Sequence, residues 1–208
     1  MFFKDRAHAG KILADIVAKN LDQKSWPDFC VVGIAKGGVM VGLEIAKRCN
    51  IQLLPFAIGK KIFDDGVICI TSQKNGYLAN KNKIKPFDDF STLRGFPTPL
   101  FEGLSKRQAL LNAGKEFSPK ERVIICDDGA VSGTTLSIVV RAMQLIGVKE
   151  IIIAIPVVTS RIRKMFKSYE IFFWRETKLK NPTSGIFYFS FPDISDDEVI
   201  TAIQQFSS

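Results

Sequence analysis

At 208 residues, 46% apolar and 24% charged, the chain has the length and composition of one substantial globular core, without the polarity of a disordered chain or the apolar excess of a membrane protein. Its longest apolar run, Ile151 to Val158, holds a proline and falls well short of the roughly 20 residues that span a bilayer, so no membrane passage is expected. The net charge of +8 is spread along the chain without forming a block, which fits a solvated basic surface first and a small polyanionic ligand or nucleic acid after it.

The N-terminus, Met1 to His8, holds Asp5 and His8 where a secretory signal would be uninterruptedly apolar. Cys30, Cys49, Cys69 and Cys126 are scattered without a C-x-x-C pair, as expected of reduced, structural thiols in a cytoplasmic protein.

In chain order, Asp5 to Lys19 reads as an amphipathic helix, with Ala9, Ile12, Leu13, Ile16 and Val17 at helical spacing and Asp5 placed to cap the first turn. The single histidine, His8, lies in this segment and reads as a surface or capping residue rather than a catalytic one. Phe29 to Ile34 is a continuous apolar run, too short for a helix and rich in β-branched residues, as expected for a strand buried on both faces. Ala35-Lys36-Gly37-Gly38 breaks it, a helix resumes from Val39 to Cys49, and Ile51 to Ile58 is a second apolar run that completes a β-α-β unit.

In the middle third, Asp64-Asp65-Gly66, Lys74-Asn75-Gly76 and Lys85-Pro86 signal turns around the short run Val67 to Ile70, which predicts a hairpin or mobile loop. A helix is expected from Ser105 to Lys115. A second β-α-β unit follows, with a strand from Arg122 to Cys126, a helix from about Thr135 to Ile146 and a strand from Glu150 to Pro156. Ser160 to Tyr169 then reads as a helix and Glu170 to Trp174 as a strand. Gly185 to Phe191 reads as an aromatic-rich strand whose rings pack in a core or wall a lobe. The final helix starts at Ser195, whose hydroxyl and Glu198 form an S-x-x-E capping box.

The stretch from Asp127 to Thr135 carries the clearest chemistry. In open parallel sheets ligands bind beyond the carboxyl ends of the strands, and this loop stands between such a strand and a helix. Gly129, Ala130, Ser132 and Gly133 are small enough for the backbone to curl so that successive amides surround a phosphate, while the next helix adds its positive dipole end. Thr134 and Thr135 can add hydroxyl donors. The adjacent carboxylates of Asp127 and Asp128 suit sugar hydroxyls and a magnesium-bound polyanion, so the combination describes a sugar phosphate. A plain loop with two solvated aspartates is the bland alternative. A Walker A loop is excluded because no lysine follows Gly133, and no G-x-G-x-x-G stands on the first β-α turn.

At these residues, Val123 to Thr135, the sequence resembles the 5-phosphoribosyl 1-pyrophosphate (PRPP) signature of type I phosphoribosyltransferases: four hydrophobic residues, two acids, then a T-G-T-like loop. Resemblance to a group of predicted phosphoribosyltransferases extends to Phe3-x-Asp5-Arg6-x-x-Ala9-Gly10-x-x-Leu13-Ala14, to Val32 to Val39 and to Phe189 to Val199. The resemblance implies a mostly parallel sheet flanked by helices, one domain over 1–208, with a small lobe and the C-terminal helix within 159–208. It implies that Asp127 and Asp128 meet the ribose hydroxyls and, indirectly, magnesium. It also implies that Gly129, Ala130, Val131, Ser132, Gly133, Thr134 and Thr135 hold the 5-phosphate and that Lys36 and Gly37 meet the pyrophosphate. The family group usually has arginine at position 36, so a bidentate fork becomes a point charge here. A plain surface lysine is the other reading of Lys36.

Two departures stand out. Where type I enzymes carry a loop that closes over PRPP, this chain has Gly59 to Gly66, in which Lys60 and Lys61 are the candidate pyrophosphate contacts. Enzymes of the family that salvage 6-oxopurines have an acid in the middle of the PRPP loop, and here Val131 stands there, which disfavours hypoxanthine and guanine as acceptors. The expected function is phosphoribosyl transfer from Mg-PRPP to a nitrogenous base with release of pyrophosphate, and the alternative is a PRPP-sensing regulator with little turnover. A small acceptor and Mg2+ are the expected ligands, a homodimer is left open, and neither membrane nor nucleic acid is an expected partner.

Overall fold

The computed structural model describes residues 2–63, 66–73, 76–81, 98–130, 132–179 and 182–207. The chain runs through helix α1 (Arg6–Asn20), strand β1 (Phe29–Ile34), α2 (Gly37–Cys49) and β2 (Leu53–Phe56). Three further strands follow, β3 (Gly59–Phe63), β4 (Gly66–Gln73) and β5 (Gly76–Lys81), and then α3 (Thr98–Leu111), β6 (Arg122–Cys126), α4 (Thr134–Leu145) and β7 (Glu150–Ala154). The chain closes with β8 (Val157–Thr159), α5 (Ser160–Met165), β9 (Glu170–Phe172), β10 (Arg175–Thr177) and α6 (Asp196–Ser207).

Five strands form one sheet in the order β2-β1-β6-β7-β9, and every pairing in it is parallel. Such a sheet is covered on both faces, which is why its strands are apolar runs without alternation. The pleat sends successive side chains to opposite sides. Val31, Ile124 and Ile152 thus join the cluster beneath α1, α2 and α6, while Val32, Ile125 and Ile153 join the cluster beneath α4 and α5. Each of these six side chains is at most 1% exposed, and burying one such side chain stabilises the fold by about 1.5–3 kcal/mol. Cys30, Cys49 and Cys126 are free and buried, and burial raises the pKa of each thiol, far above the ordinary value only at Cys126.

The helix ends follow their local chemistry. Asp5 accepts a hydrogen bond from the His8 amide at 2.7 Å, and His8 accepts one at Nδ1 from the Lys4 amide at 3.0 Å, a capping role. Helix α2 ends on Asn50 in the left-handed region at φ 51°. At α6, Ser195 Oγ accepts from the Glu198 amide at 3.1 Å while Glu198 accepts from the Ser195 amide at 2.7 Å, the expected reciprocal box.

Some expectations need correction, and α5 is one of them, ending at Met165 rather than Tyr169. Helix α3 begins seven residues earlier than expected and ends at Leu111 rather than Lys115. Pro99 is tolerated in its first turn, and Ala113 and Gly114 take positive φ just beyond its end. The hairpin expected in the middle third is present and extended: β3, β4 and β5 form a three-stranded antiparallel sheet in which Phe63 pairs with Gly66 and Gln73 with Gly76. The turn expected at Lys85-Pro86 lies outside the described residues. Gly185 to Phe191 is not a strand: Ser184–Phe187 is a 3-10 turn, and Tyr188 alone bridges to Phe3. Tertiary packing explains this, because the rings of Trp174 and Tyr188 gather on Phe3 at 5.1 and 5.2 Å and Phe191 stacks on Tyr188 at 4.9 Å, while Phe189 stays 78% exposed.

Candidate active site

Counted among themselves in chain order, the strands of the parallel sheet lie 2-1-3-4-5, and the helices after β1 and β6 leave to opposite faces. This is the topological switch point at which open α/β sheets bind ligands. The loops Ala35–Lys36 and Asp127–Gly133 meet there.

They meet closely. A Cβ on Gly38 would lie 2.3 Å from the Cys126 carbonyl oxygen and 2.9 Å from the Asp127 Cα, and one on Gly37 would lie 1.9 Å from Asp128 Oδ2. Any side chain at either position would force the two loops apart, so the glycine pair is what lets α2 start against the acidic loop. The Ala35–Lys36 peptide is cis. Gly37 thus places the N-terminus of α2 beside the Asp128 carboxylate.

In the second loop the Asp128 amide donates to Asp127 Oδ1 at 2.9 Å. Gly133 caps α4 with φ 79°, a left-handed conformation that few side chains tolerate, and a Cβ there would lie 2.7 Å from Met165 Sδ. The Thr134 amide donates to Ser132 Oγ at 3.3 Å, Ser132 Oγ donates to Thr134 Oγ1 at 3.2 Å, and Thr134 is 6% exposed. The loop between β6 and α4 carries Asp127, Asp128, Gly129, Ala130, Ser132 and Gly133, Thr134 and Thr135 open α4, and of these Asp128 lies against Gly37 and Asp127 against Gly38. Val131 lies outside the described residues. Lys60 and Lys61 sit on β3, paired with Cys69 and Ile68, and β3 starts three residues beyond the carboxyl end of β2.

Sequence reasoning missed the groups that hold this loop from outside. Arg6, in the first turn of α1, donates from Nε to Asp128 Oδ2 at 2.8 Å and from NH1 to the Pro192 carbonyl at 2.8 Å, with its guanidinium 3.6 Å from the Phe191 ring centre. Tyr188 donates its hydroxyl to the Asp128 carbonyl at 2.7 Å, and Ser184 donates to the Gly129 carbonyl at 3.2 Å. Burial first, and the charges of Asp128 and Asp127 after it, push the Tyr188 phenol far above its ordinary value, so it stays a donor. One signal could have found Arg6: the first turn of a helix favours acids, so a cation there calls for a carboxylate partner.

A second ion pair lies nearby. Arg107 grips Asp196 with two hydrogen bonds of 2.8 and 2.7 Å and reaches the Ile58 carbonyl, and this holds the Asp196 carboxyl below its usual value, with the Lys36 charge adding to the effect. Among the described residues no three His, Cys, Asp or Glu gather as a metal cage, and no helix is long and apolar enough to cross a membrane.

A family model described as a phosphoribosyl transferase domain matches residues 4–184. Among solved structures, the chain is similar to TT1426 from Thermus thermophilus, with 21% identity, a TM-score of 0.71 and 99% of each chain covered, a likeness of fold. It is also similar to a purine phosphoribosyltransferase from Pyrococcus horikoshii at 17% identity and a TM-score of 0.48, with 91% of this chain and 93% of that one covered.

Proposed function

The chain belongs to the type I phosphoribosyltransferase family of enzymes, and we propose that it binds Mg-PRPP at the β1/β6 switch point and transfers the phosphoribosyl group to a small nitrogenous base. The observation that carries this reading is the contact between the two loops, with the Asp128 carboxylate against Gly37, so that groups suited to ribose hydroxyls and to pyrophosphate stand side by side. Asp127 and Asp128 would accept from the ribose hydroxyls, the amides from Gly129 to Thr135 with the Thr134 and Thr135 hydroxyls would hold the 5-phosphate, and Lys36, the Gly37 amide, Lys60 and Lys61 would face the pyrophosphate.

As the bond from C1 to the pyrophosphate oxygen breaks and the acceptor nitrogen bonds to C1, the sugar carries oxocarbenium-like charge and the leaving group gains negative charge. Such a transition state needs little covalent help, so these residues contribute positioning, charge neutralisation and exclusion of water. The hard carboxylate oxygens of Asp127 and Asp128 fit magnesium held through water on the pyrophosphate rather than caged by protein, and the ion when bound would offset phosphate charge. The segment 159–208 would supply the lobe over the acceptor, supported by the hydroxyls of Tyr188 and Ser184 that reach the acidic loop. Val131 in place of an acid argues for an acceptor other than a 6-oxopurine.

Calorimetric titration with PRPP and magnesium tests the assignment. Asp127→Asn and Asp128→Asn each weaken a charge-assisted acceptor and are expected to cost about 1.5–3 kcal/mol of binding. Unchanged affinity in both variants would sink it, and binding without pyrophosphate release on any nitrogenous base would turn the reading to a PRPP sensor.

A further inference from the structure

We infer that Arg6 is a positioning residue for ribose recognition, acting through Asp128; this rests on the reading of Asp128 as a sugar-hydroxyl acceptor. The Arg6–Asp128 pair joins residues 122 apart in the chain, and the two side chains are only 11% and 15% exposed. A partly buried carboxylate at a loop would ordinarily be free to turn. Here Arg6 Nε holds Oδ2 at 2.8 Å, and Gly37 packs so closely on the same oxygen that a Cβ there would lie 1.9 Å from it and 3.0 Å from Arg6 Nε. With Oδ2 engaged by Arg6, Oδ1 is the oxygen that would accept from a ligand.

The guanidinium is itself immobilised. NH1 donates to the Pro192 carbonyl at 2.8 Å, and the flat group lies 3.6 Å from the Phe191 ring centre, so its plane is set by the same C-terminal segment whose Tyr188 donates to the Asp128 carbonyl. One arginine thus ties the first helix, the acidic loop and the C-terminal aromatic segment together at the carboxylate. A lysine could supply the charge but not the fork or the flat stacking face.

The pairing also makes the charge of the acid pair with Arg6 about −1 in place of −2, which suits hydroxyl acceptance over direct seizure of a divalent cation.

The test is a double-mutant cycle on ribose 5-phosphate affinity by calorimetry, with Arg6→Gln, Asp128→Asn and both together. Arg6→Gln is expected to weaken wild-type binding about tenfold, and to change affinity less than about twofold in the Asp128→Asn background, because its effect passes through that carboxylate. Affinity for inorganic phosphate, which has no ribose hydroxyls, should stay unchanged in Arg6→Gln. Arg6→Lys, which keeps the charge and guards against loss of folding, should fall between wild type and Arg6→Gln. Equal losses in both backgrounds, or an equal loss for inorganic phosphate, would make Arg6 a structural residue only and overturn the inference. A wild-type protein that binds no ribose 5-phosphate would instead remove the underlying reading of the pocket.

Discussion

Replacing Gly38 by alanine tests the contact on which the pocket rests. The added methyl would face the Cys126 carbonyl oxygen at 2.3 Å, its carbon at 3.0 Å and the Asp127 Cα at 2.9 Å, all of them backbone atoms at the end of the central strand. The nearest separation must grow by roughly 0.7 Å to reach even the 3.0 Å floor of real contacts, and neither a buried strand nor the first turn of a packed helix yields that cheaply. Overpacking of this kind costs about 1–3 kcal/mol, and the upper half applies because no flexible side chain can swing aside. In a chain of this size, about 2–3 kcal/mol lowers the melting temperature by roughly 4–12 °C. The same displacement carries Lys36 and Gly37 away from Asp127 and Asp128, and misplacing a site by about 1 Å can cost on the order of 100-fold in rate. Gly103→Ala is the matched control: a Cβ there meets nothing within 4 Å, and an exposed helical glycine replaced by alanine should gain about 0.5–1 kcal/mol. Thermal denaturation and pyrophosphate release measured on both variants decide the matter. If Gly38→Ala melts and turns over like wild type, the two loops do not meet as described and the pocket is wrongly built.

Gly133→Val should destabilise the protein by about 1–3 kcal/mol and weaken ribose 5-phosphate binding, because a β-branched residue resists φ 79° and meets Met165 Sδ; melting and calorimetry together check this. Changing Lys60 and Lys61 together to alanine should slow pyrophosphate release roughly several-hundred-fold while PRPP binding weakens less, since contacts to the leaving group strengthen in the transition state; steady-state rates beside titrations would show the split. Asp196→Asn should cost about 1 kcal/mol at neutral pH, read by chemical denaturation. The folded carboxyl lies below its ordinary 3.8, so its contribution is present above that value and is lost as pH falls below it; the gap between variant and wild type should narrow as pH falls below 3.8.

What could be read from the sequence, and what could not, divides along the range of the interactions. The strand at Phe29–Ile34 and that at Arg122–Cys126 stood out because a strand buried on both faces must be apolar throughout, and Gly129 to Gly133 stood out because a phosphate nest needs small residues in a row. These are local requirements, met by neighbours in the chain. The antiparallel sheet β3-β4-β5 was half visible: its turn residues announce themselves, but Lys60, Lys61, Gln73 and Asn80 break the apolar alternation that marks a strand. The aromatic segment reads as a strand because Phe187, Phe189 and Phe191 alternate like one face of one, whereas Tyr188 packs on Phe3 from the other end of the chain, with Phe187 and Phe191 packed on the same cluster and only Phe189 of the three left exposed. Contacts of that length leave almost no local trace.

The same reasoning explains why the chemistry of the candidate site was easier to find than its support. The proposed ligand groups Asp127, Asp128 and the glycines are neighbours on one loop, so they are legible by identity and spacing. Groups that hold the loop need only arrive from somewhere with the right donor: Arg6 comes from 122 residues away, Tyr188 from 60 and Ser184 from 55. Arg6 alone among them breaks a local rule, as a cation in the first turn of a helix that has no acid in that turn. A residue that is locally unfavourable and persists in the fold must be compensated elsewhere, and here the compensation is the Asp128 carboxylate, which makes that local conflict the one feature of the sequence pointing from the first helix to the candidate site.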